Sequence, residues 1–249
     1  MEHIGLFALA ALIVGASKGG LASAGALAVP LLSLWMDPLR AAGTLLPIYI
    51  VSDVVGVWLF RRDYSRQNLA VLIPAGLAGV ILATFVAPLL SVALTTFLVG
   101  LIGFAYSAQV AVRVIRRAPP LTRPFDARRG VFWGVLTGMT SFISHTGAPP
   151  FQAFVLPQRL EKMTFAGTTT ITFAAINLFK LPSYAAVGML SAVEPALFAV
   201  MAAVAVGGVV LGKRLSHWLP DRVYRAIIEG LLAVLSVWLM VDGALKGLG

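Results

Sequence analysis

The sequence predicts an all-α polytopic membrane protein made of two inverted repeats of about five helical segments each, each repeat opening with a broken or re-entrant hairpin. Three observations carry this. Of 249 residues, 59% are hydrophobic and only 12% charged, with a mean hydropathy of +0.92; a soluble domain carries about twice that charge fraction. The apolar residues gather into runs separated by short basic or Gly/Pro-rich stretches. The same small tripeptide also returns at the same place in each half of the chain.

Taken in order, the first apolar run covers roughly residues 4 to 17 and stops at "GASKGGLASAG", Gly15 to Gly25, before a second run at 22 to 36. A run of about 14 residues reaches only about 21 Å at 1.5 Å per residue, short of a hydrocarbon core of about 30 Å. Ala22-Ser23-Ala24 has the form of a signal-peptide cleavage site, but Glu2 and the lack of Lys or Arg before the run argue for a membrane element. Runs at 41 to 60, 68 to 87 and 91 to 112 are long enough to span. The pair at 130 to 143 and 148 to 157, split by "TSFISHTGAPP", is again too short, and runs at 163 to 180, 188 to 211 and 222 to 243 can span. Two broken hairpins and six spanning segments follow.

Charge sets the orientation. If the arginine-rich linker "RVIRRAPPLTRPFDARRG" is cytoplasmic, alternation places Arg61, Arg62, Arg66, Arg159, Lys162, Lys213, Arg214, Arg222 and Arg225 on the same side, fifteen basic residues with the linker's six. Only Arg40, Lys180 and Lys246 then fall outside. This positive-inside bias predicts a multi-pass bacterial inner-membrane protein with both termini non-cytoplasmic. The domains read as a first membrane repeat at 1–112, a cytoplasmic basic linker at 113–129 and a second repeat at 130–249. The excess of 19 Lys+Arg over 10 Asp+Glu is thus a topology signal, and nucleic-acid binding is excluded as a partner class.

Internal symmetry supports the halves. Ala42-Gly43-Thr44 returns 124 residues later as Ala166-Gly167-Thr168, and at the same offset Asp53 meets Asn177. "GVILA" at Gly79 corresponds to "GVVLG" at Gly208. Five segments are an odd number, so the second half enters from the opposite side, and inverted repeats place a substrate site near the midplane between discontinuous elements.

The two breaks hold the candidate chemistry. A helix break frees backbone N–H groups and presents the positive end of a half-helix, which favours an anion. The first break offers Ser17, Lys18, Gly19, Gly20 and Ser23; the second offers Thr140, Ser141, Ser144, His145 and Thr146. Neither carries an acidic residue. Lys18 stands out because a lysine at membrane depth is costly, unless it snorkels to water. Thr44, Thr168 and Asn177 are further substrate-binding candidates from the long helices. Asp53 and Glu229 are proton-coupling candidates, although for Asp53 a structural pairing with Arg61 or Arg62 is the favoured alternative. With no Cys and three scattered His, no metal or cofactor is expected. No HExxH, nucleophile elbow, P-loop or nucleotide fingerprint is present, which points away from an enzyme.

"GGLASAGALAVPLLSL", "RAAGTLLPIYIVSDVVGVWLF", "FAGTTTITFAAINLF" and "GGVVLGKRLSHWLPDRVYRAIIEGLLAVLS" occur in this order and together resemble the TauE/SafE family of sulfite and organosulfonate exporters. The resemblance implies a secondary transporter, an exporter of a small sulfur-containing anion such as sulfite or a sulfoacetate-like organosulfonate. A transporter of another small anion, or a non-transporting membrane scaffold or assembly protein, are the rival readings. The expected partners are a small anion and the lipid bilayer. Substrate identity, direction, coupling ion and homo-oligomerisation are left open by the residues.

Overall fold

Local backbone caps end the helices at the two breaks, whereas Pro47, Pro74 and Pro182 lie within helices. The structure, a computed structural model, describes residues 4–33, 36, 38–86, 91–119, 121–186, 190 and 194–248. All ten of its α-helices among these residues follow the apolar runs: α1 Ile4–Lys18, α2 Ala28–Ser33, α3 Pro38–Phe60, α4 Arg66–Val86, α5 Val92–Ile115, α6 Ala127–Ser144, α7 Ala148–Val155, α8 Lys162–Ala186, α9 Pro195–Trp218 and α10 Asp221–Leu248. Gly20, at φ +122°, ends the first arm of the first hairpin, and a 3-10 turn, Ala22–Leu27, leads into α2. His145 closes α6 in the left-handed region at φ 54°. Asp126 opens α6 by accepting the Arg129 N–H at 2.9 Å, an N-cap that satisfies one donor of the first turn.

Five helices, α3, α4, α5, α9 and α10, contain stretches long and apolar enough to cross a membrane. This is a multi-pass membrane protein. The sixth span expected from the sequence, α8, has 25 residues but carries a threonine run, Asn177 and Lys180, and these lower its hydropathy. Its polar face is turned inward: Thr168, Thr169, Thr170, Thr172, Asn177 and Lys180 are all buried. The second arms of the hairpins are short. The 3-10 turn plus α2 reach about 21 Å, and α7 plus its terminal 3-10 turn about 18 Å.

Packing pairs the halves in a regular way. α1 lies along α9, running parallel, with Gly15 and Gly19 against Ala205, Val209 and Gly212, and Gly208 against Leu12 and Ala16. α6 lies along α4 in the same parallel sense, with Gly134 against Ala75, Gly138 against Gly76 and Gly79 against Val135 and Met139. A methyl group on Gly15 or Gly138 would land on a backbone carbonyl, of Ala205 and Gly76 respectively. Such backbone-to-backbone approach is how membrane helices gain van der Waals contact where no hydrophobic driving force exists between them. α3 packs antiparallel on α8, Gly56 meeting Thr170 and Gly167 meeting Phe60 and Asp63. α5 packs antiparallel on α10, Gly100 meeting Met240 and Gly243 meeting Phe97. Exchanging helices one to five with six to ten turns the α1/α9 pair into α6/α4 and returns α3/α8 and α5/α10 to themselves.

Candidate functional site

The central site forms where both hairpin tips meet the middle of α3 and α8. Its lining comes from Ser17 and Lys18 at the end of α1, Gly25 and Ala26 of the 3-10 turn, Tyr49 of α3, Ser141, His145 and Ala148 at the second break, and Thr169, Thr170, Phe173 and Asn177 of α8. The cavity among them measures about 30 Å³. One water needs roughly 10–15 Å³ on that measure, so the space suits two or three waters or one compact ion.

Lys18 does not snorkel. It is 5% exposed and its Nζ lies 2.8 Å from Asp53 Oδ1. The Asn177 amide donates to Asp53 Oδ2 at 2.8 Å, so the two residues matched by sequence offset touch each other. Asp53 therefore pairs with Lys18, and the alternative pairing with Arg61 or Arg62 does not form; Arg61 instead lies over the Trp58 ring. Tyr49 and Phe173, also 124 residues apart, flank the ammonium with ring centroids at 5.1 and 5.7 Å. The Thr170 hydroxyl donates to the Lys18 carbonyl at 3.0 Å, which ties the end of α1 to α8.

A second lysine, which the positive-inside count places on the outer side, lies directly behind the Ser141 and His145 lining. Lys180 is fully buried in α8. Its Nζ donates to the Ser141 carbonyl at 3.0 Å and the Ser141 hydroxyl at 3.2 Å, and lies 3.1 Å from His145 Nδ1. With Lys180 as an ammonium, which only donates, Nδ1 accepts and the imidazole proton sits on Nε2. Nε2 lies 3.3 Å from the Tyr184 hydroxyl, which donates its own proton to the Phe142 carbonyl at 2.8 Å. The chain Lys180, His145, Tyr184 locks the ring, which stacks on Tyr49 at 5.1 Å. Sequence signals for these residues existed: Thr170, Phe173, Asn177, Lys180 and Tyr184 alternate steps of three and four, one face of a helix.

Other candidates fall elsewhere. The backbone of Gly19 and Gly20 serves packing, since their carbonyls accept the Ser216 and Tyr224 hydroxyls at 3.3 and 2.8 Å. Thr168 accepts the Ser65 N–H at 2.9 Å and donates within its own helix, and Thr44 is buried without lining the cavity. Thr146 is buried beside the site, while the side chains of Ser23 and Ser144 lie outside the described residues. Glu229 sits 3.9 Å from Arg159 at the linker end of α10, away from the cavity. The helix-end donors are also fewer than expected: N–H groups of Gly19, Gly20 and Leu21 bond back into α1, and in the first turn of α7 Pro149 and Pro150 have no N–H to offer. The polar residues of the lining are Ser17, Lys18, Tyr49, Ser141, His145, Thr169, Thr170 and Asn177. Among the described residues no cluster of His, Asp or Glu could hold a metal ion.

The family model for the sulfite exporter TauE/SafE matches residues 7–239, nearly the whole chain. No curated protein and no solved structure matches it significantly. The chain belongs to the TauE/SafE family.

Proposed function

We propose that this TauE/SafE protein is a secondary transporter that exports a small sulfur oxyanion, sulfite or a compact organosulfonate, through the central cavity. The observation that carries this reading is the charge count around the site: two buried lysines, Lys18 and Lys180, against one carboxylate, Asp53. With both lysines protonated, one positive charge is left over. An anion entering between Lys18, Ser141 and His145 supplies its counter-charge, where removing solvent would otherwise be costly. A volume near 30 Å³ favours a sulfite-sized ion; a longer organosulfonate requires the two hairpin tips to separate.

The packing supports inverted repeats, 1–112 and 130–249, as the moving parts. Equivalent helices α3 and α8 are antiparallel, as are α5 and α10, while α1/α9 and α6/α4 exchange partners. A two-fold axis in the membrane plane would produce this pattern. Rocking of the halves would expose the cavity to each side in turn. With the basic linker in the cytoplasm of a bacterial inner membrane and both termini outside, the inside-negative potential drives a monovalent anion outward by about 2.3 kcal/mol per 100 mV. Outward movement then needs no coupling ion. Asp53 can still exchange a proton, since protonation would free Lys18 for substrate.

Inside-out vesicles test the assignment. Sulfite should accumulate in them and Lys18→Met should abolish accumulation. Failure to carry sulfite or any sulfonate, with another substrate class moved instead, overturns the anion. If no small anion shifts the melting temperature of the purified protein, the scaffold reading takes its place, because a ligand of the native state must raise its stability.

A further inference from the structure

A second cavity lies at the linker end of the molecule. α5 and α6 are consecutive, yet α5 packs on α10 and α6 on α4, which leaves a cleft of about 270 Å³ between them. Leu101, Ile102 and Ala105 of α5 line one end, and Gln109, Arg123 and Arg129 the other. From Leu101 to Gln109 the helix advances about 12 Å toward the linker, so the apolar end is the deeper one. Leu101 is 41% exposed, and the cleft opens sideways where hydrocarbon would surround α5.

The polar end is built by the linker. Leu121 is buried, the Arg123 N–H donates to the Pro157 carbonyl at 2.9 Å, and Arg159 Nε donates to the Leu121 carbonyl at 3.2 Å. These bonds fold the linker back against the end of α7. Among the described residues neither the Arg123 nor the Arg129 guanidinium has an ion pair. The nearby acids are engaged: Asp126 caps α6, and Glu229 faces Arg159. Trp133, one turn inward from Arg129, also lines the cleft, the position an amphipathic indole takes at a bilayer interface.

We infer that this cleft binds one anionic phospholipid from the leaflet on the linker side. Its phosphate sits between Arg123 and Arg129, whose planar donors match phosphate oxygens in pairs. One acyl chain lies along Leu101, Ile102 and Ala105 and fills space that hydrocarbon would otherwise leave empty. Because its walls come from both halves, the lipid joins them next to the linker.

The test uses the full-length protein in neutral phosphatidylcholine, with and without phosphatidylglycerol, read by native mass spectrometry and by melting temperature. Wild type should keep a phosphatidylglycerol adduct and melt several degrees higher with that lipid. Arg123→Gln/Arg129→Gln should lose most of both, whereas Arg128→Gln, an exposed neighbour outside the cleft, should keep them. If the double variant does not fold in phosphatidylcholine, Arg123→Gln alone is read, and phosphatidylglycerol with brominated chains should quench Trp133, the quenched component vanishing in Trp133→Phe. Equal stabilisation by phosphatidylcholine, or an equal loss in Arg128→Gln, overturns the site. Full reproduction of the shift by inorganic phosphate overturns the lipid and leaves a soluble anion as occupant.

Discussion

The two hairpin tips both line the central cavity but handle positive charge in opposite ways. At the first, Lys18 comes from the broken helix and is cancelled by Asp53 of α3 at 2.8 Å. At the second, Lys180 comes from the long helix α8 and meets only neutral acceptors, Ser141 and His145. The 124-residue offset shows how the difference arises. Asp53 corresponds to Asn177, so a carboxylate on one side is an amide on the other. Gly56 corresponds to Lys180, and a methyl group at Gly56 would crowd the Thr170 side chain and the Lys18 backbone at 2.7 and 3.1 Å. These two differences cancel in charge, a carboxylate in one half against a lysine in the other, so the excess cation on which the proposed anion site rests is supplied by Lys18.

The sharpest way to break the comparison is Asp53→Asn. It strands the Lys18 ammonium in a buried place, and removing one partner of a buried pair costs about 3–5 kcal/mol. The variant should melt far below wild type, and Lys18→Met/Asp53→Asn should recover much of the loss because no lone charge remains. Melting temperatures of the three proteins in one detergent decide it. A single Asp53→Asn variant as stable as wild type would mean the ion pair contributes nothing.

Next in size are the glycine seams. Gly15→Ala on α1 and Gly138→Ala on α6 each push a methyl group into a facing backbone carbonyl, and overpacking of this kind costs about 1–3 kcal/mol. If the halves are equivalent, the two losses should agree. Gly207→Ala supplies the contrast: nothing lies within 4 Å of its added carbon, so it should hold or slightly raise stability. A large loss at only one seam would deny the equivalence.

Lys180→Met sharpens the charge argument itself. It strands no carboxylate, so stability should fall only by the unmet acceptors of Ser141 and His145, about 1–3 kcal/mol. Sulfite-induced stabilisation should nevertheless disappear, because Lys18 and Asp53 then sum to zero. A full sulfite response in this variant would remove the excess charge as the reason for anion preference.

Much of this arrangement was legible in the sequence, for identifiable reasons. Hydropathy located the helices, since bilayer solvent admits few alternatives to apolar helix. Glycine clusters located the breaks, and the repeated Ala-Gly-Thr tripeptide aligned Asp53 with Asn177 before any contact was known. Lys180 escaped because hydropathy averages over a window and places a lysine after an apolar run at its end; only the three-and-four spacing from Thr170 to Tyr184 puts it on the inward face. Gly19 and Gly20 read as anion-facing in the sequence because glycine signals close approach without saying to what. Here the approach is to α9, for Gly19 against Val209 and Gly212 and for Gly20 against Ser216.

The smallest test concerns how α8 holds the first hairpin tip. Thr169 and Thr170 are neighbours and both line the cavity, yet their hydroxyls do different things. Thr169 donates to Phe165, four residues back in its own helix, at 2.8 Å. Thr170 crosses to the Lys18 carbonyl at 3.0 Å, an acceptor at the end of α1 that has no following helical turn to satisfy it. Valine keeps the shape at either position and removes the hydroxyl. Thr170→Val should therefore cost about 1 kcal/mol and slow sulfite export, since Lys18 loses one of the bonds that fix it opposite Asp53. Thr169→Val should stay within about 0.5 kcal/mol of wild type, because a back-bond within a helix adds little. Equal effects on melting and on vesicle transport would show that the hydroxyls matter by lining the cavity rather than by joining α8 to the tip.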